Sequence, residues 1–372
     1  MRKLGFGFMR LPLKNADDVT SIDIDKTIEM VDAFVKKGFN YFDTAYGYHS
    51  GKSEGALRKA VVERYPRETF LIADKMPVWL VKSNEDYQKL FDEQRERLGT
   101  TYIDYYLLHA LNKGTYESSV EHGGFEFIKK LKKEGLVHKI GFSFHDSSDV
   151  LARILEEQKD LDFVQLQINY ADWESEKIES RVIYELAIKH NIEIIVMEPI
   201  KGGLLANVPK EAEELFKAYN PNASVASWAM RHSVSLPNTI IALSGMSTLE
   251  QVEDNIGYME NFVPINKEEQ KIIEKVQEIL AEVAIIPCTS CKYCIEDCPV
   301  KIPIDRILSM LNDTKKFART PGQLNWYKVI TENAGNGMAS ACIACGICEK
   351  TCPQKIEIIE SLKDASSVFE VA

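Results

Sequence analysis

The chain has 372 residues, 45% hydrophobic and 27% charged, and its 45 basic and 56 acidic side chains leave a net charge of -11. That length suits two domains, and the composition is that of a globular protein rather than a disordered one. The acidic balance argues against nucleic acid or an anionic membrane surface as the main partner, and no apolar run reaches the roughly 18 residues that a membrane helix needs. From the first residue, Met1-Arg2-Lys3-Leu4-Gly5-Phe6-Gly7 lacks the apolar core and small-residue cleavage site of a secretory signal, so a cytoplasmic location is expected. Residues 1–283 then alternate short β-branched runs with amphipathic stretches. The strand candidates are Leu4–Met9, Asn40–Asp43, Thr69–Lys75, Ile103–His109, Lys139–Phe144, Phe163–Asn169, Glu193–Glu198 and Ile240–Gly245. Helical spacing lies between them, as in Ile28, Val31, Phe34 and Val35 before Gly38, and again over Lys267–Val283. Eight strands alternating with helices over about 250 residues is the plan of an α/β protein, a (β/α)8 TIM barrel. An open doubly wound sheet would need Gly-x-Gly-x-x-Gly after its first strand, but Gly5-Phe6-Gly7 runs on to Leu11 and Pro12.

A barrel of this kind does its chemistry where strands end, on the C-terminal face. The second candidate strand ends in Asp43-Thr44-Ala45-Tyr46-Gly47-Tyr48, the third in Asp74-Lys75-Met76-Pro77 and the fourth in Leu107-Leu108-His109. A carboxylate, an ammonium, a phenol and an imidazole thus converge on one mouth; singly each is more often a structural residue, and their coincidence at three successive strand ends is what points to chemistry.

All eight cysteines fall after residue 287, as Cys288-x2-Cys291-x2-Cys294-x3-Cys298-Pro299 and Cys342-x2-Cys345-x2-Cys348-x3-Cys352-Pro353. Both match the bacterial run that ligates [4Fe–4S] clusters, in which the fourth cysteine serves the other cluster. On that pattern Cys288, Cys291, Cys294 and Cys352 hold one cluster, and Cys342, Cys345, Cys348 and Cys298 the other. Zinc is the alternative, but its modules usually separate two Cys pairs by a longer loop; disulfides do not suit a chain without a secretory signal. The 43 residues between the runs read as helices over Pro303–Asn312 and Gln323–Asn333, so residues 284–372 resemble the α-helical ferredoxins. Lys315, Lys316 and Arg319 form a basic cluster there, either a solvated face or a docking point for an acidic electron carrier such as ferredoxin or flavodoxin.

The long part resembles the aldo-keto reductases. The likeness lies in Asp43-Thr44-Ala45-x-x-Tyr48, Gly51-x-Ser53-Glu54, Lys75 before Met76-Pro77, and Tyr106-Leu107-Leu108-His109. It continues in Ile140-Gly141-Phe142-Ser143, Gln165-Leu166-Gln167-Ile168-Asn169, Pro199-Ile200-Lys201-Gly202-Gly203 and Glu250-Gln251-x-x-Asp254-Asn255. With its tail, the chain is similar to members of that family fused to a ferredoxin-type module. The resemblance implies hydride transfer between a nicotinamide cofactor and an aldehyde or ketone. Tyr48 is then the general acid, Lys75 the ammonium that lowers its pKa, Asp43 the residue that holds Lys75, and His109 the one that orients the carbonyl. Ser143, Gln165, Met197, Ser247, Gln251 and Asn255 fall at the cofactor-binding positions. The stretch Gly245–Gln251 carries no Lys or Arg for a 2'-phosphate, which favours NADH over NADPH. Tyr46, Trp79, Tyr116, Tyr170 and Trp173 are candidate pocket aromatics. The alternative reading is an electron-transfer enzyme or subunit that couples the clusters to a nicotinamide, a flavin in the barrel mouth, or a redox partner.

Overall fold

Eight strands close into a parallel barrel in chain order: β1 (Leu4–Gly7), β2 (Tyr41–Asp43), β3 (Leu71–Met76), β4 (Ile103–Leu111), β5 (Val137–Phe144), β6 (Phe163–Gln167), β7 (Glu193–Met197) and β8 (Thr239–Ser244). Each lies within two residues of its expected bounds. The computed structural model describes residues 2–370 except Asp17, Lys177, Ala284, Thr289, Ser290 and Asp297, and the side chain of Glu296. Ala284, where the sequence places the domain boundary, lies outside the described residues.

Two apolar layers follow from the period of two along each strand. Phe6, Phe42, Ile72, Leu108, Phe142, Val164, Val196 and Ala242 face outward into the layer between strands and helices. Tyr41, Ala73, Tyr105, Leu107, Phe163, Ile195, Ile241 and Leu243 fill the inside. At one point the barrel tolerates no side chain: a Cβ on Gly141 would stand 2.2 Å from the Phe163 carbonyl oxygen. That close approach sets Ser143 of β5 opposite Gln165 of β6. The helices form where their caps and apolar stripes direct. Asp23 caps the helix Ile24–Lys36, which buries Met30, Val31 and Phe34. The helix Asn84–Leu98 opens on a Ser83–Asp86 capping box and stops at Gly99 with φ 68°, burying Tyr87, Leu90, Phe91 and Gln94.

His232 gives the barrel a measurable pH dependence. Its ring is 5% exposed and meets Trp173 and Tyr170 edge-on, at 5.6 and 6.2 Å between centroids. Burial pulls its pKa from 6.5 down to about 4. Below pH 6.5 the unfolded chain therefore takes up a proton that the folded one refuses, and stability falls with pH, by roughly 2 kcal/mol between pH 7.5 and 5. Anaerobic urea unfolding at the two pH values should show this loss shrinking by about that amount in His232→Gln. An unchanged loss contradicts the assignment.

Packing divides the chain into Met1–Lys201 with Ser227–Lys267, and Gly202–Ala226 with Glu268–Ala372. The stretch Gly202–Ala226 of the β7–β8 connection thus groups with the tail, where the Ala318 amide donates to the Asn207 carbonyl at 3.5 Å. The tail is an internal repeat at an offset of 54 residues. Short helices Tyr293–Glu296 and Ile347–Thr351 match and pack together, as do the longer Ile304–Lys316 and Ile358–Phe369. The turns repeat as well: the Lys301 and Lys355 amides donate to the Cys298 and Cys352 carbonyls at 3.0 and 3.2 Å, both lysines at φ 53°. Ile302, Ile304 and Leu308, with their counterparts Ile356, Ile358 and Leu362, form one core. The spacer's second helix runs Pro321–Ile330 and ends before the expected Asn333, because Thr331 turns the backbone out of the helical region.

Candidate active site and cysteine centres

Side chains two residues on from a barrel-filling residue also point inward, one layer nearer the mouth. Tyr41 leads in this way to Asp43, Ala73 to Lys75, Leu107 to His109, Gly141 to Ser143, Phe163 to Gln165 and Ile195 to Met197. Six of the expected site residues therefore share one ring above the core.

Lys75, fully buried, donates from Nζ to Asp43 Oδ1 at 2.6 Å and to the Thr44 carbonyl at 2.7 Å. The same Nζ lies 4.8 Å from the centre of the Tyr48 ring, and the His109 ring meets Tyr48 edge-on at 6.0 Å. The turn that carries Tyr48 is held on both sides. Ser53 Oγ donates to the Phe8 carbonyl at 3.0 Å and lies 2.8 Å from Thr44 Oγ1. His49, at φ 50°, accepts from the Leu11 amide at 3.3 Å and bonds the Val19 carbonyl at 2.8 Å.

Burial pulls the Lys75 ammonium down, but the Asp43 charge, its hydrogen bond and the neighbouring acidic groups together outweigh it and leave Lys75 above the ordinary lysine value. Burial also raises the Asp43 carboxyl, against the pull of Lys75. The Tyr48 phenol corrects the sequence expectation. Burial carries it above the usual tyrosine value, and the Lys75 charge lowers it without winning. His109 falls well below the ordinary imidazole value, first from burial and then from the Lys75 charge, so it is neutral at pH 7.

On the cofactor side, Ser143 and Gln165 are buried and Met197 closes β7. Ser143 Oγ accepts from the Ala110 amide at 2.7 Å, while Gln165 Oε1 is buried without a partner. Ser247 donates to the Arg10 carbonyl at 2.6 Å, and its amide donates to Gln251 Oε1 at 2.7 Å. Asn255 is tied down, its Nδ2 bonding Ser244 Oγ at 2.8 Å and its Oδ1 accepting from Tyr258. Of the candidate pocket aromatics, Trp79 stands beside the tetrad, half exposed and 5.1 Å from the His109 ring. The others have different work. Tyr46 turns toward Glu93 and under Arg97, Tyr116 is buried and bonds Glu157 at 2.6 Å, and Trp173 packs on Tyr184. Tyr170 is buried beside His232.

Local reading missed three groups because their partners are distant in sequence. Arg10 brings a cation to the loop after β8: its Cδ lies 3.1 Å from where a Cβ on Gly245 would stand. Asp172 accepts from Lys201 Nζ at 2.7 Å, which holds its carboxyl below the usual value. Asp74 and Glu54 are fully buried behind Lys75.

In the tail, Cys288, Cys291, Cys294 and Cys352 line one cavity with Lys292, Asp305, Leu308 and Gln354. The last cysteine of the second run thus joins the first three of the first run. Burial pushes the Cys294 thiol up to about 12, with Cys288, Cys291 and Cys348 contributing. Cys348 is raised by burial and then by neighbours that include Cys342 and Cys345. Cys298 Sγ accepts from the Ile302 amide at 3.5 Å. Arg319 donates to the Val368 carbonyl at 2.6 Å, so part of the basic cluster ties the tail together. Among the described residues, no helix is long and apolar enough to cross a membrane.

Residues 3–278 match the model of the aldo/keto reductase family, and residues 287–357 that of a 4Fe-4S dicluster domain. Similar proteins include an uncharacterized oxidoreductase, YqkF, of Bacillus subtilis, 24% identical over 62% of this chain and 81% of that one. A 9,11-endoperoxide prostaglandin H2 reductase of Trypanosoma cruzi is 25% identical over 66% of this chain and 80% of its own. Among solved structures, a Klebsiella pneumoniae aldo-keto reductase in complex with NADPH superposes with a TM-score of 0.59 at 19% identity, covering 74% of this chain and 90% of that one. That likeness concerns the fold. The family match spans most of the chain and runs through every strand of the barrel, so the chain belongs to the aldo/keto reductase family of oxidoreductases and carries a 4Fe-4S dicluster domain after its barrel.

Proposed function

We propose that the barrel reduces an aldehyde or ketone with a nicotinamide cofactor. The observation that carries this reading is a buried ammonium, Lys75, held by Asp43 at 2.6 Å and lying 4.8 Å from the Tyr48 ring, with His109 beside them. The buried, unpartnered Gln165 Oε1 suits the carboxamide N–H of a nicotinamide, so the residues fit the group. When bound, the reduced cofactor supplies a hydride to the carbonyl carbon. His109, neutral, donates a hydrogen bond that orients the carbonyl oxygen. Tyr48, protonated through the neutral range, gives its proton to the oxygen as negative charge develops there. Lys75 stabilises the phenolate left behind, Asp43 keeps Lys75 in place, and solvent restores the proton. Carbonyl, hydride and proton together make the alcohol.

In the tail, Cys288, Cys291, Cys294 and Cys352 hold one [4Fe–4S] cluster, and Cys342, Cys345, Cys348 and Cys298 the other. The first set's common cavity supports this pairing. Functionally we place the reductase module at 1–283 and the cluster module at 284–372. The dicluster match also favours a second reading, in which the clusters exchange electrons with a cofactor in the barrel or with a carrier protein such as ferredoxin or flavodoxin. A flavin is the group that would split an electron pair there.

The loop Gly245–Gln251 offers no cation of its own, which favours NADH. Initial rates on a panel of aldehydes should give the higher kcat/KM with NADH. A preference for NADPH reverses that choice and points to Arg10, the side chain lying against Gly245. In that case Arg10→Ala raises the KM for NADPH by about tenfold and leaves that for NADH unchanged.

A further inference from the structure

The Lys75 peptide is held by two side chains from outside the expected tetrad. β2 pairs with β3 only as far as Asp43 opposite Ala73, after which β3 continues alone on that side to Met76. In a parallel ladder, alternate residues face the same neighbour, so the Lys75 amide and carbonyl point to where β2 has ended. Asp74 Oδ1 accepts from the Lys75 amide at 2.8 Å, and Gln94 Nε2 donates to the Lys75 carbonyl at 3.0 Å. The same Gln94 Nε2 donates to Asp74 Oδ2 at 2.9 Å, and Gln94 Oε1 accepts from Tyr106 at 2.6 Å.

Asp74 is fully buried among neutral donors, with the carboxyl of Glu54 as its neighbour. Glu54 is fully buried too; its Oε2 accepts from Arg97 at 2.9 Å, while its Oε1 is buried and unpaired. A proton shared between the two carboxyls gives that oxygen a donor. Carried by Asp74, the proton is donated to Glu54, and Arg97, which also pairs with Glu93, faces the remaining charge. Burial and the Glu54 charge raise Asp74 well above the usual carboxylate range, in keeping with that placement.

We propose that Asp74 is a positioning residue for Lys75: as a neutral acid sharing its proton with Glu54, it and Gln94 replace the missing β2 ladder and fix the Lys75 peptide without placing a second anion beside the ammonium. Asp43 is then the counter-ion of Lys75, and the lysine keeps its charge for Tyr48. A charged Asp74 would compete with Asp43 for the ammonium and raise Tyr48 further.

This rests on the reductase reading, so the test carries one readout that turnover does not touch. In the full, cluster-loaded chain, infrared spectroscopy should show a protonated-carboxyl C=O band at pH 7 that shifts in D2O and disappears in Asp74→Asn. Asp74→Asn, which keeps an acceptor for the Lys75 amide and a donor to Glu54 and gives up only the hydrogen bond from Gln94, should hold kcat within about threefold and leave the alkaline limb of kcat/KM in place. Asp74→Ala should lower kcat about tenfold or more with little change in KM, and melt as the wild type does within a few degrees. The proposal is overturned if the band is missing, if Asp74→Asn moves the alkaline limb by about a unit or more, or if Asp74→Ala turns over normally. Tyr48→Phe is assayed alongside: a retained rate there defeats the reductase reading, while the infrared band still decides the protonation of Asp74.

Discussion

Tyr48→Phe should cut kcat/KM for aldehyde reduction by about 10²- to 10⁴-fold while leaving the barrel folded, which is the range expected for loss of a general acid. The change removes one oxygen from a partly exposed ring and leaves the Lys75–Asp43 pair whole. Lys75→Met is the harsher test and the less clean one. It strands the buried Asp43 carboxylate, at a cost of roughly 3–5 kcal/mol, so lost activity would mix with lost stability. The pH profile adds a signed prediction. Tyr48 titrates above the ordinary tyrosine value, so the rate should hold through neutral pH and fall only on a strongly alkaline limb. His109 lies well below the ordinary imidazole value, so no inflection should appear near pH 6.5. An inflection there that disappears in His109→Asn would mean that His109 carries charge in the working enzyme.

The second large effect concerns the cysteines. Cys352→Ser should remove the cluster held with Cys288, Cys291 and Cys294, and about half of the roughly eight irons per chain. The crossed pairing is read from double variants. Adding Cys291→Ser to Cys352→Ser should lose no more iron than either alone, because both strike one cluster; adding it to Cys298→Ser should lose nearly all of it. The reverse pattern would mean that each run of four holds its own cluster. The cavity common to Cys288, Cys291, Cys294 and Cys352 favours the first outcome.

These two sites were legible in the sequence to different depths. Strands and their ends could be read because β-branched runs and helix stops are local signals, and the period of two then fixes which residues enter the mouth. Asp43, Lys75 and His109 follow from that rule, each two residues beyond a barrel-filling side chain. The cysteine runs carry their spacing with them. What escaped depends on contacts across the fold. Arg10 meets Gly245 only because β1 closes on β8, and Glu54 meets Asp74 only because the helix Ser53–Leu57 comes back behind β3. The aromatics misled for the same reason: Tyr116 and Trp79 both follow strand ends, but one turns into the helix layer and the other to the mouth. The direction of the Tyr48 shift was also hidden, since it is decided by how much burial outweighs a charge whose presence alone the sequence reveals.

Whether the barrel performs hydride chemistry on a carbonyl with no need of the clusters is tested most directly by one anaerobic experiment. The cluster-loaded chain is mixed with NADH and an aldehyde panel, and cofactor oxidation, alcohol formation and visible cluster absorbance are followed together. The predicted result is NADH consumed one for one with alcohol formed and no change in cluster absorbance. Bleaching of the clusters by NADH, or no cofactor oxidation with any carbonyl, would contradict the claim.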